Sequence, residues 1–247
     1  MKSLPLQVIV LLTLVAAPPV VSQVRSSSAR FDAETISGLG ARNIGSATMS
    51  GRIAALDAVH EGKRLTVYIG SASGGVWKST NGGTTYQPVF DKQPVQSIGA
   101  LTIDPKNPNV VWVGTGESWT RNSVSVGDGI YKTTDGGETW AHMGLPESER
   151  IAKIEVDPAN TDVVYAAVPG KLWSDSNDRG VYKTTDGGKS WSLILKGPNA
   201  STGSSDIALD RRSPGTVFAG MWDFRRKPWT FRSGGDSAGA PSGSGLF

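Results

Sequence analysis

Five carboxylates fall in stretches of this chain where side chains can reach a bound molecule: Glu117, Asp128, Asp175, Asp178 and Asp223. Two carboxyl groups held about 5–9 Å apart can serve as acid and base, or acid and nucleophile, on a glycosidic bond. No spacing in the sequence pairs any two of the five, so they stand as weak catalytic candidates. Interleaved with them are Trp119, Arg121, Trp173, Arg179, Trp222, Arg225 and Trp229. Flat rings stack on the C–H faces of sugars, and guanidinium groups bind hydroxyls or chain termini. These seven are therefore the candidate ligand-binding residues.

Other chemistries find no support. The chain has no cysteine, which excludes disulfides, thiol catalysis and Cys-ligated metal. His60 and His142 lie far apart, in no ligand-spaced cluster and in no triad context. No metal site and no cofactor are expected. The net charge of the 247 residues is only +3, and Lys and Arg are scattered apart from Arg225, Arg226 and Lys227, so no nucleic-acid partner is expected.

What positions these residues is a repeat. Lys132-Thr133-Thr134-Asp135-Gly136-Gly137-Glu138-Thr139-Trp140 returns as Lys183-Thr184-Thr185-Asp186-Gly187-Gly188-Lys189-Ser190-Trp191. A weaker copy, Lys78 to Tyr86, carries Asn81 at the acidic position; the steps are 54 and then 51 residues. Other features keep the same period. Apolar runs Ile53–Leu56, Ile98–Ile103, Ile151–Val156 and Ile207–Leu209 end at Asp57, Asp104, Asp157 and Asp210, each followed by a short polar turn. β-Branched and aromatic segments follow at Val67-Tyr68-Ile69, Val111-Trp112-Val113, Val164-Tyr165-Ala166 and Val217-Phe218-Ala219. A third apolar segment opens with Gly75, Gly129 and Gly180, and a fourth leaves the acidic box. Four short strands per period of about fifty residues describe the blade of an all-β propeller.

The box has a structural logic. Asp-Gly-Gly forms a tight turn, because Gly accepts positive φ and the Asp side chain bonds nearby amides. The structural set is Ser79, Asn81, Gly83 and Tyr86, then Thr133, Asp135, Gly137 and Trp140, then Thr184, Asp186, Gly188 and Trp191. A calcium loop is disfavoured, since one carboxylate per box is far from the six to eight oxygens calcium takes.

On these boxes the chain resembles the Asp-box (BNR) repeat family of sialidase-like propellers, nearest to the sortilin-type (VPS10-like) and xyloglucanase-like branches. The resemblance covers residues 41–247 and implies a propeller of four-stranded blades at about 41–92, 93–145, 146–197 and 198–247. Gly245-Leu246-Phe247 aligns with Gly129-Ile130-Tyr131, so about three and a half blades are expected and the ring is incomplete. The remaining blades are expected from a missing C-terminal part of a longer protein. A sialidase would also need an arginine cluster; Arg42 and Arg52 could contribute, but Gly51-Arg52-Ile53-Ala54 lacks the Arg-Ile-Pro signature.

Ahead of the propeller, Lys2 precedes an apolar run from Val8 to Ala17, with small residues up to Ser22. This reads as a signal peptide over 1–22 with cleavage near Ser22, followed by a linker or closing segment over 23–40. Pro18-Pro19 cut the apolar run too short for a membrane span. A secreted or periplasmic protein with no membrane span after cleavage is expected.

Blade topology puts the box turns on one face and the loops between second and third strands on the other. The box face repeats nearly unchanged and reads as scaffold; function is expected on the loops Glu117–Asp128, Lys171–Arg179 and Trp222–Trp229. Three readings follow: a scaffold that binds a carbohydrate, peptide or protein ligand, which is preferred; a glycoside hydrolase of sialidase-like or xyloglucanase-like type; and a purely structural module.

Overall fold

A computed structural model of the chain describes residues 52–213, 215–235 and 240–247. The proposed signal peptide, the 23–40 segment and Arg42 lie outside the described residues.

Alternation of β-branched and aromatic residues with Gly-marked turns produces four antiparallel sheets in chain order. The first holds β1 (Ile53–Glu61), β2 (Arg64–Ser71), β3 (Gly75–Ser79) and β4 (Gln87–Pro88). The second holds β5 (Ile98–Asp104), β6 (Asn107–Thr115), β7 (Ile130–Thr133) and β8 (Ala141–His142). The third holds β9 (Lys153–Val156), β10 (Val164–Val168), β11 (Gly180–Thr184) and β12 (Ser192–Leu195). The fourth holds β13 (Thr202–Leu209), β14 (Val217–Lys227), β15 (Thr230–Ser233) and β16 (Gly245–Leu246). Apart from a short 3-10 turn at Pro146–Ser148, no helix occurs among the described residues.

Each sheet packs face-to-face on the next. Tyr68, Phe90, Ile98, Val111 and Tyr131 form the core between the first two sheets. Trp112, Ile130, Ile154 and Val164 form the second core, and Tyr165, Val181, Ile207 and Met221 the third. No such core joins the fourth sheet to the first among the described residues. The blades form an open arc of a β-propeller.

The box turns close as their composition requires. Thr133 Oγ1 donates to Asp135 Oδ1 at 2.6 Å and accepts from the Gly137 amide at 2.9 Å. Asp135 Oδ1 also accepts the Thr139 amide, and its Oδ2 accepts the Thr139 hydroxyl. Thr184, Asp186, Gly188 and Ser190 repeat the pattern. In the first box Asn81 Oδ1 accepts from Ser79 and from the Thr85 amide, while its Nδ2 donates to Thr85 Oγ1. Gly188 shows why the second glycine is needed: φ is +96°, and a Cβ there would meet the Trp112 ring at 2.7 Å.

The structure corrects three strand boundaries. β1 does not end at Asp57 but runs to Glu61, because Gly62 at φ +66° closes a tight hairpin into Arg64. Asp57 therefore lies mid-strand opposite Tyr68, its Oδ2 accepting the Ile103 amide of the next blade. β13 starts at Thr202 rather than Ile207. Most consequentially, the stretch Trp222–Trp229 is not a loop. β14 continues through it to Lys227 and turns at Pro228-Trp229 into β15, so blade four carries a projecting hairpin. Its charges suggested a loop, but Trp222 packs on Phe224 and Phe231, with centroids 4.9 and 5.4 Å away, and this supports the extended backbone.

Candidate functional site

The candidate residues separate into exposed groups and a buried layer beneath them. Glu117 is fully buried at the end of β6, where Arg52 holds both its carboxylate oxygens at 2.8 and 2.6 Å. Asp128 accepts the Tyr131 hydroxyl at 2.8 Å; burial first, and then this bond, raise the phenol pKa well above its usual 10.0. Asp178 accepts from Ser176 Oγ at 3.2 Å. Asp223 is fully buried and takes Ser201 Oγ at 2.7 Å, Asn199 Nδ2 at 3.0 Å, Arg232 at 3.2 Å and the Gly243 amide at 3.3 Å. Burial pushes its pKa up, but these donors outweigh it and hold the group below the ordinary 3.8. Of the five acids only Asp175 is well exposed, and it pairs with Arg225.

Arg179 also lies beneath the surface. Its guanidinium donates to the carbonyls of Pro169, Lys171 and Ser174 and stands 4.7 Å over the Phe224 ring. Burial, with Arg150 nearby, brings its pKa down to about 10. Arg179 thus ties the loop of blade three and supports the hairpin of blade four.

These contacts join two candidate segments into one surface. The Arg226 amide donates to Leu172 O at 3.0 Å, and Arg225 reaches Asp175 across the same seam. Trp173 is 45% exposed on one side, and Trp229 is 93% exposed at the hairpin tip. Trp222 is half-buried, its indole N–H given to Ser233 Oγ at 2.7 Å. Trp119 and Arg121 are exposed on the loop of blade two, and no hydrogen bond, ion pair or ring contact ties them to this surface among the described residues.

Sequence reasoning missed the supporting residues Asn199, Ser201, Arg232, Glu149 and Arg150. Arg150 is buried, donates to Glu149 at 2.6 Å, and has its pKa lowered by that burial. Polar residues next to strand ends were the available signal. A cavity of about 430 Å³ lies between the first strands, lined in part by Asp57, Lys153, Glu155 and Arg211. Lys153 and Glu155 are 3.6 Å apart there, and burial raises the Glu155 carboxyl above 4.5.

The acid shifts set a pH dependence. Asp186 is held well below 3.8 by Ser190, Asp135 by Thr133 and Thr139, and Asp223 by the donors above. A depressed folded-state pKa contributes stability that is present above 3.8 and lost as pH falls through the folded values. Glu155, shifted upward, acts oppositely. Urea midpoints should therefore change little from pH 7 to about 5 and fall steadily below about 4. A midpoint rising between pH 4 and 2 would contradict this.

Four-stranded antiparallel blades closed by Asp-box turns define an Asp-box β-propeller. The chain belongs to the Sortilin-Vps10 family (Sortilin, neurotensin receptor 3), whose model matches residues 74–208. It is similar to a xyloglucanase of Hypocrea jecorina, 28% identical over 174 residues that cover 61% of this chain and 20% of that protein. A xyloglucanase of a Paenibacillus species is 24% identical over 60% of this chain and 15% of its own length. A probable oligoxyloglucan-reducing end-specific xyloglucanase of Neosartorya fischeri is 32% identical over 38% of this chain and 10% of its own length. The chain thus spans a fifth or less of these relatives. The crystal structure of an ancestral GH74 enzyme shares the fold at a TM-score of 0.52 and 21% identity, covering 76% of this chain and 26% of that one. No helix among the described residues is long and apolar enough to cross a membrane.

Proposed function

We propose that this protein is an exported Asp-box propeller that binds a xyloglucan-class polysaccharide on the surface joining blades three and four. The observation that carries the reading is the pair of exposed indoles, Trp173 and Trp229, on segments fastened by the Arg225–Asp175 ion pair and the Arg226–Leu172 hydrogen bond. Rings fixed on rigid backbone stack on sugar faces without first losing conformational freedom. The likeness to xyloglucanases favours a sugar over a peptide, and the apolar run ahead of Ser22 favours export.

Hydrolysis is the second reading, favoured by those same relatives. Glu117 and Asp223 are already consumed by internal bonds and Asp128 holds the Tyr131 hydroxyl in blade two, which leaves Asp175 and Asp178 as the sequence candidates nearest the surface. Titration calorimetry with xyloglucan oligosaccharides should show saturable binding, weakened about tenfold in Trp229→Ala and again in Trp173→Ala, about 1.4 kcal/mol each. Undiminished binding in the double variant would refute the surface. A parallel reducing-end assay decides between capture and hydrolysis: turnover by the parent that is abolished in Asp175→Asn or Asp178→Asn, with oligosaccharide binding retained in that variant, would establish the enzyme.

A further inference from the structure

Every non-glycine residue at positive φ among the described residues lies in one connection, the one between blades two and three. Leu145 (φ 57°, ψ 45°) and Glu149 (φ 55°, ψ −31°) bracket the 3-10 turn Pro146–Ser148. Side chains seldom accept such backbone, and 15 other positive-φ positions among the described residues are filled by glycine. Glu149 lies outside even the left-handed helical region, so only its surroundings can hold it there. Polar capacity is also left over at this turn. Ser148 Oγ and Arg150 Nε are buried with no hydrogen-bond partner among the described residues.

Two loops hold the turn in place. Glu149 O accepts the Gly127 amide at 2.8 Å, and the Ile151 amide donates to Thr115 O at 3.1 Å. A Cβ on Gly116 would overlap Glu149 O. Thr115, Gly116 and Gly127 are the two ends of the blade-two loop that carries the exposed Trp119. On the other side Arg150 Nη1 donates to Gly170 O at 3.5 Å, where the blade-three loop carrying the exposed Trp173 begins. Between these loops the Glu149 carboxylate is presented to solvent. Arg150, 1% exposed, donates to its Oε2 at 2.6 Å, while the Glu149 side chain remains 28% exposed. Oε1 has no hydrogen-bond partner among the described residues. Glu117 makes the contrast: Arg52 takes both its oxygens, and its side chain is fully buried.

We propose that Glu149 is a saccharide-contacting carboxylate, and that the binding surface continues from Trp173 across Glu149 to Trp119 of blade two. The inference rests on the reading of this face as a polysaccharide surface. Oε1 accepts a sugar hydroxyl, while Arg150 fixes the carboxylate from beneath; a hydroxyl donating to an ionised acceptor makes a bond about twice as strong as one to a neutral oxygen. The indoles of the flanking loops stack on sugar units to either side. The strained backbone has a use on this reading: it keeps a carboxylate at the seam of two loops, where a relaxed turn or a glycine would present none.

Titration calorimetry of the intact protein with xyloglucan oligosaccharides tests the site, each variant being checked for native circular dichroism. Glu149→Gln keeps the shape of the side chain and an acceptor for Arg150, and should weaken binding about fivefold. Glu149→Asp keeps the charge but draws it back by one methylene; it should weaken binding as well, and it serves if Glu149→Gln does not fold. Trp119→Ala should cost about tenfold. Glu147→Gln, exposed two residues away, should bind like the parent. Parental affinity in the folded Glu149 variants would overturn the role of Glu149, and parental affinity in Trp119→Ala would overturn the extension to blade two. In either case a loss in Trp173→Ala and Trp229→Ala would leave the surface of blades three and four standing. No saturable binding by the parent would instead overturn the polysaccharide reading, and this site with it.

Discussion

Replacing Trp112 with Ala should destabilise the protein by about 3–5 kcal/mol, a large fraction of what a domain of this kind possesses. The ring is fully buried between blades two and three. Gly188 approaches it so closely that a methyl group there would clash, Trp191 meets it edge-on at 6.3 Å, and Lys132 stands over its face. Removing it opens a void lined by parts of two blades that the sheets cannot close without moving both. Trp112→Tyr provides the informative contrast. Blades one and three carry Tyr68 and Tyr165 at this position, and the Tyr68 hydroxyl donates to Gly136 O. The Trp112 indole N–H is buried without an acceptor. A phenol would remove that orphan donor and gain a path to Gly187 O, so Trp112→Tyr should stay within about 1 kcal/mol of the parent. Urea unfolding by circular dichroism reads both; equal loss in the two variants would show that the ring's shape, rather than the repeat position, matters.

Asp223→Ala should cost a comparable amount, about 3–5 kcal/mol, by a different route. The carboxylate is the common acceptor for Ser201, Asn199, Arg232 and the Gly243 amide, all in a buried setting. Truncation leaves Ser201, Asn199 and the Gly243 amide without this acceptor and takes the Asp223 carboxylate away from Arg232. Because Asp223 lies at the root of the β14–β15 hairpin, the damage extends outward to Arg225, Arg226 and Trp229. Proteolysis should cut the hairpin near Lys227 in Asp223→Ala well before the rest of the blades, and polysaccharide binding should be lost with it. Asp223→Asn keeps one acceptor oxygen and should retain part of the stability. A variant with parental urea midpoint and an intact hairpin would remove Asp223 from this role.

The two largest effects thus arise from residues of opposite legibility. Trp112 sits on the repeat, and its burial follows from its register with Tyr68 and Tyr165. Asp223 reads in the sequence as a loop acid, yet it is buried, because four donors from Asn199, Ser201, Arg232 and Gly243 converge on it from segments up to 24 residues away. Glu117 behaves alike: its partner Arg52 lies 65 residues upstream, a pairing no local pattern reveals. The blade-four hairpin was hidden because its extended backbone rests on the clustering of Trp222, Phe224 and Phe231, while its charges resemble those of a loop.

By itself the sequence determined the blade: the Asp boxes, the glycines at strand starts and the aromatic-aliphatic alternation act through contacts a few residues apart and repeat every fifty or so residues. Local chemistry that repeats is readable because each copy must solve the same turn and the same sheet. Which carboxylates face solvent, which arginines are consumed inside, and which segments of blades three and four are fastened together were decided only by tertiary structure. Those outcomes depend on charges and rings brought together from different blades, and desolvation binds such groups to partners that sequence distance conceals.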